Sequence, residues 1–175
     1  KPVVITIGEN PTPIWGMSNA KRIRRIAGKQ GLVYDWGDGP RLLVDARYVF
    51  DPPLLRHVAR RPYSVVVEDG RPVIAHVPDP GKCKIVAEAM QAGAPLPDGL
   101  GLDVIVHEEG FTLYNDELRK REQPFLMRLK PENVRKIERV SYYAAYKGVT
   151  DILTKYLWPE WALALTRLAA KLRIT

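Results

Sequence analysis

Along this chain, apolar residues gather in short runs bounded by glycine and proline, and the spacing inside the runs changes between strand and helix periods. Val3-Val4-Ile5-Thr6-Ile7 is a continuous, mostly β-branched run ending at Gly8, the pattern of a buried strand entering a loop. That loop covers residues 8–16. Ser18 then caps a helix through Lys21, Arg22, Ile23, Arg24, Arg25, Ile26 and Ala27, with Ile23, Ile26 and Ala27 as its inward stripe and Gly31 past its end. Strand, glycine-bounded loop and helix make the opening of an α/β unit.

Leu32-Val33-Tyr34 predicts a short strand, residues 36–40 a turn, and Leu42-Leu43-Val44 the next buried strand. Asp51 caps a second helix, opened by Pro52-Pro53 and running through Leu54, Leu55, Val58 and Ala59. Residues 63–67 and 72–77 alternate around Glu68-Asp69-Gly70-Arg71, whose Asp-Gly centre signals a hairpin, so the expected sheet is mixed. Beyond it the pattern predicts a loop over 78–82, a helix over 83–92 closed by Gly93, and a loop over 95–101. Strands follow over 102–106 and 125–129, then a helix from Pro131 through Val134, Ile137 and Val140. The expected fold class is a three-layer α/β domain with a mixed central sheet over residues 1–130, followed by a helical extension over 131–175.

The extension is amphipathic throughout. Val149, Ile152, Leu153, Tyr156 and Leu157 fall on one helical stripe, with Lys147, Asp151 and Lys155 lining another face. Pro159 breaks that helix. After it Trp161, Leu165, Leu168 and Leu172 form a second stripe, with Glu160, Arg167 and Lys171 opposite. Two readings fit: the pair packs on its own domain, or it lies in a head-group layer with its aromatic and basic residues at the interface.

Charge sharpens this picture. Residues 1–118 carry 14 Lys and Arg against 15 Asp and Glu, whereas residues 119–175 carry 13 against 5. The excess positive charge therefore sits in the tail and implies an anionic partner, phospholipid head groups or nucleic acid. Tyr142 and Tyr143 would suit base stacking, but no nucleic-acid module is recognisable and nucleic acid is not the expected partner. The single cysteine, Cys83, excludes an intramolecular disulfide and fits a reducing compartment.

The run Val140-Ser141-Tyr142-Tyr143-Ala144-Ala145-Tyr146-Lys147-Gly148-Val149-Thr150-Asp151, followed by Thr154-Lys155-Tyr156-Leu157-Trp158-Pro159, by Thr166-Arg167-Leu168-Ala169 and by Arg173-Ile174-Thr175, resembles a known segment. It is similar to the one preceding the first membrane helix in CDP-alcohol phosphatidyltransferases that carry an N-terminal cytosolic domain. The resemblance implies a parent transferase of phospholipid synthesis, using a membrane-embedded aspartate motif and a divalent metal, magnesium or manganese. That motif does not occur in these residues, so no catalytic residue is carried over and no cofactor is expected here. It also implies a chain at the cytoplasmic face of the membrane, partnered by its own membrane domain, an anionic phospholipid surface and a second copy through the parent. Lys147, Lys155, Tyr156, Trp158, Trp161, Arg167, Lys171 and Arg173 would contact membrane and head groups.

The upstream domain in that family is similar to sugar-phosphate nucleotidyltransferases. Such enzymes need a glycine-rich loop after the first strand to cradle phosphates, and an aspartate after a buried strand to hold magnesium. Here Gly8-Glu9-Asn10 opens the loop, and Glu9, Pro11 and Pro13 remove much of its anion-attracting character. In Leu42-Leu43-Val44-Asp45-Ala46-Arg47, Arg47 falls at the aspartate's position, unless a shifted register makes Asp45 the ligand. Gly8, Glu9, Asn10, Asp45 and Arg47 are thus positions of a degenerate nucleotide site. The expected function is that of a non-catalytic accessory domain, with an active nucleotidyltransferase making a CDP- or NDP-linked sugar or polyol as the alternative. His107-Glu108-Glu109 resembles half a metal site without a second histidine at helical spacing. Arg22, Arg24, Arg25, Arg60 and Arg61 fit solvated helix faces more simply than a phosphate site.

Overall fold

The structure is a computed structural model that describes residues 1–35, 37, 39–107, 111–115, 120–145 and 158–172. Its central sheet has six strands in the order β2-β1-β3-β6-β5-β7. These are β1 (Val3–Ile7), β2 (Val33–Tyr34), β3 (Arg41–Asp45), β5 (Ser64–Glu68), β6 (Arg71–Val77) and β7 (Asp103–Val106). β1 runs parallel to β2 and β3, and β5 parallel to β7, while β6 lies antiparallel between β3 and β5. The mixed sheet expected from the Asp-Gly hairpin is therefore present, and its turn residues Asp69 (φ 50°) and Gly70 (φ 72°) take the left-handed values that a two-residue hairpin turn requires.

Three layers follow from the two faces of the strands. Leu42 and Val44 of β3, Val66 of β5 and Ile74 of β6 pack beneath α1 (Asn19–Lys29) and α2 (Pro52–Ala59). Leu43, Val65, Val67, Ala75 and Val77 point the other way and pack with Val86 and Met90 of α3 (Pro80–Ala92). The strands read as continuous apolar runs because both faces are covered. Ser18 caps α1 by accepting from the Lys21 amide at 3.3 Å, as its position before the apolar stripe predicts.

Several elements differ from the sequence pattern. α3 starts at Pro80 rather than Cys83, because Asp79 accepts from the Lys82 amide at 2.8 Å and Pro80 suits a first-turn position. β4 (Tyr48–Phe50) is a separate strand, paired antiparallel with β10 (Leu126–Arg128). An unanticipated small hairpin joins β8 (Leu113–Asn115) to β9 (Lys120–Glu122), and Leu113 extends the core beneath α2. After a 3-10 turn at Pro131–Asn133, α4 (Val134–Ala145) inserts Ile137 into a satellite core with Ile14, Val49 and Leu129. α5 (Trp158–Lys171) takes Pro159 into its first turn, where a proline suits a helix start. Of the helix expected over 148–158, residues 148–157 lie outside the described residues and Trp158 belongs to α5.

Candidate functional site

Asp45 ends β3 beside the end of β1, next to the loop that follows Ile7. From β1 the chain leaves through α1 to β2 on one side of that strand, then returns to β3 on the other. Open α/β sheets bind ligands at such a switch point, outside the carboxyl ends of the strands. Buried Asn19, in the first turn of α1, donates from Nδ2 to the carbonyls of Ala46 (2.8 Å) and Tyr48 (2.7 Å) and fixes the turn between β3 and β4.

That turn brings Asp45 and Arg47 together. Arg47 Nε donates to both carboxylate oxygens of Asp45 (2.8 and 3.1 Å), Nη2 donates to Oδ2 at 2.7 Å, and the Arg47 amide donates to Oδ1 at 2.9 Å. Nη2 also donates to the Met90 carbonyl at the end of α3. The hydrogen bonds to Asp45 hold the Arg47 guanidinium above its ordinary pKa. A Cβ on Gly8 would lie 3.3 Å from Arg47 Nε, so the glycine makes room for the arginine where a nucleotidyltransferase would seat phosphates. Arg47 and Asp45, alternatives in the sequence frame, are partners in one ion pair. The residues present do not fit a magnesium ion: the carboxylate, with 2% of Asp45 exposed, is already enclosed by a guanidinium.

Part of the loop over 8–16 is similarly occupied. Asn10 Oδ1 accepts from the Thr12 amide at 2.9 Å, and its Nδ2 donates to the Leu129 carbonyl at 2.9 Å. The Ile14 amide donates to Met17, and the Trp15 amide to Glu138 Oε1. Pro11 and Pro13 lack amide hydrogens, so from Pro11 to Trp15 the loop offers no uncommitted amide to a phosphate. Glu9 is exposed on the same loop.

Beside the ion pair lies a cavity of about 190 Å³ lined by Asp45, Arg47, Tyr48, Arg71, Pro72, Ala92, Gly93 and Arg128. Sequence reasoning missed Arg71 and Arg128, because strands β6 and β10 bring them here from distant stretches with no local motif. His107 is tied to Glu68 Oε2 at 2.9 Å through Nδ1 and to the Pro124 carbonyl at 2.8 Å through Nε2. A carbonyl only accepts, so Nε2 carries a hydrogen and offers no metal lone pair. Glu108 and Glu109 lie outside the described residues, among which no His, Cys, Asp and Glu cluster suits a metal. Arg22 donates to the Phe50 carbonyl at 2.9 Å; burial lowers its pKa to about 10, partly offset by Asp51.

The second candidate surface is α5. Its stripe residues Trp161, Leu165, Leu168 and Leu172 are 63%, 60%, 53% and 62% exposed. The helix docks by its other side: Leu163 is buried, the Ala170 carbonyl closes on Gly16, and Arg167 donates to Glu138 Oε2 at 3.0 Å and to the Arg135 carbonyl. Glu160 accepts from Arg139 (2.7 Å) and from the Tyr143 hydroxyl (2.8 Å). Arg167 thus holds the helix to the body, whereas Lys171 is exposed. Trp158 opens α5, and Lys147, Lys155, Tyr156 and Arg173 lie outside the described residues. No helix among the described residues is long and apolar enough to cross a membrane. Compared with known proteins, the chain matches no family model and no curated protein.

Proposed function

We propose that this chain is the cytosolic, non-catalytic accessory domain of a membrane enzyme resembling the CDP-alcohol phosphatidyltransferases, and that α5 lies against the anionic membrane surface beside the parent's membrane domain. The observation that carries this reading is the outward stripe of Trp161, Leu165, Leu168 and Leu172 on a helix already fastened by its opposite side. A contiguous apolar face left in water is unfavourable and marks an interaction surface. Helices with such a face and a basic flank rest in the head-group layer, and the excess Lys and Arg of residues 119–175 supply the electrostatic attraction. The non-catalytic part of the reading draws support from Arg47, which occupies Asp45, and from a loop that carries Glu9, lacks amide hydrogens at Pro11 and Pro13, and commits its Thr12 and Trp15 amides internally. In this reading magnesium or manganese acts in the membrane domain.

Vesicle co-sedimentation tests the surface. Binding to vesicles containing anionic lipid is expected, with a loss of about tenfold or more in a Leu165→Glu/Leu168→Glu variant, since each buried leucine is worth about 1.5–3 kcal/mol. Equal binding to neutral vesicles, or binding untouched by the variant, overturns the proposal. Calorimetry with CTP and magnesium tests the non-catalytic part, which micromolar binding would refute.

A further inference from the structure

The cavity beside Asp45 gathers more positive charge than the fold needs. Three guanidiniums, Arg47, Arg71 and Arg128, line it against one carboxylate, Asp45. That carboxylate is committed to Arg47 through its side chain and its backbone amide. Glu68, opposite Arg71 across the β5–β6 pair, is committed to His107 instead. Arg71 and Arg128 are exposed and meet no carboxylate among the described residues, and Arg47 Nη1 makes no hydrogen bond among them. The negative end of α3, where the Met90 carbonyl points at the site, is capped by Arg47 rather than left to repel an anion. Like charges held around one concavity repel each other and raise the local concentration of anions, and guanidinium forks match the oxygens of a phosphate.

Size narrows the ligand. At about 190 Å³ the cavity falls below the roughly 300–1,000 Å³ typical of drug-sized ligands. A nucleotide does not fit such a volume, but a tetrahedral phosphate group does. We infer that the cavity formed by Arg47, Arg71 and Arg128 binds a phosphate monoester or inorganic phosphate. The phosphate group is common to a soluble phosphorylated polyol and to a phosphomonoester lipid head group. This site depends on neither α5 nor its contact with membranes.

The test is calorimetric titration of the whole chain with inorganic phosphate and with glycerol 3-phosphate at low ionic strength, for the native protein and for Arg71→Gln, Arg128→Gln and Arg60→Gln. Arg60 is an exposed arginine outside the cavity. Binding is expected to weaken about tenfold or more in each of the first two variants, the usual effect of losing one charged hydrogen bond, and to stay unchanged in the third. A parallel arm sediments the Leu165→Glu/Leu168→Glu protein with phosphatidic acid or phosphatidylcholine vesicles. Capture by phosphatidic acid that requires Arg71 and Arg128 assigns the phosphate to lipid, and binding of the soluble anions without such capture assigns it to a free metabolite. No binding of any of these probes up to about 10 mM, weaker than any affinity such a site needs to act, overturns the inference. Equal loss in the Arg60→Gln variant overturns it too, by showing diffuse electrostatics instead of a site.

Discussion

Arg47 illustrates how one residue can both stabilise a fold and close a site. Removing it by Arg47→Ala leaves Asp45, 2% exposed in the native protein, with the backbone amide of residue 47 as its one remaining hydrogen-bond donor among the described residues. A loss of about 1–3 kcal/mol in unfolding free energy is expected, the cost of leaving a buried polar group under-satisfied. A further Asp45→Asn change should recover part of it, since a neutral amide is cheaper to bury than an unpaired carboxylate. Urea titrations of the two variants check this, and a double variant weaker than the single would contradict it. The sequence frame placed both residues at the site but offered them as alternatives. Spacing alone does not show that a two-residue turn, fixed by Asn19 from α1, folds one side chain back onto the other.

At the scale of elements, α5 is joined to the body by the buried Leu163, a close approach and a few polar contacts. A Cβ at Gly16 would meet the Ala170 carbonyl at 2.6 Å, and Gly16 sits at φ +69°, which side-chain-bearing residues rarely adopt. Gly16→Val should therefore release α5, at a cost of about 1–3 kcal/mol to its docking. Hydrogen exchange reads this directly: amides of α5 should lose protection while those of β3 and β6 keep theirs. Unchanged protection in α5 would show that the approach is not what holds it. The period of the helix was legible, because Trp161, Leu165, Leu168 and Leu172 recur at helical spacing. Its orientation was not, since whether a stripe faces a core or solvent depends on a partner surface. Here the body takes in Leu163 and meets α5 at Gly16 and Glu138, leaving the stripe largely exposed. β4 escaped notice because three residues after a turn carry too little periodicity, and the pairing with β10 that defines it is remote in sequence.

At the scale of the whole molecule, the alternation of two faces along β3, β5 and β6 was written in apolar runs, turn residues and caps, so layer order followed from local signals. The arginine cavity was not legible, because it depends on which strands become neighbours. The core also carries a pH dependence. His76 of β6 is buried, with Nδ1 3.3 Å from the Val58 carbonyl and no partner at Nε2 among the described residues. Burial lowers its pKa below the ordinary 6.5, and burial shifts His57 the same way. A depressed histidine favours the folded state in its neutral form, so this stability is complete above about pH 6.5 and is lost as pH falls from there through the lower folded value. The urea midpoint should fall between pH 7.5 and 5, and His76→Leu should flatten that decline; a decline identical in the variant would assign it elsewhere.

The ion pair at the switch point has a consequence in terms of competition. Arg47 is tethered two residues from Asp45, and short tethers give effective concentrations on the order of millimolar. A dissolved cation reaching Asp45 must displace a competitor that never diffuses away. Dilution does not weaken the incumbent, so access requires a cation concentration high enough to outcompete it. In such an arrangement the identity of residue 47 sets how much metal is needed before the aspartate is open to ligands.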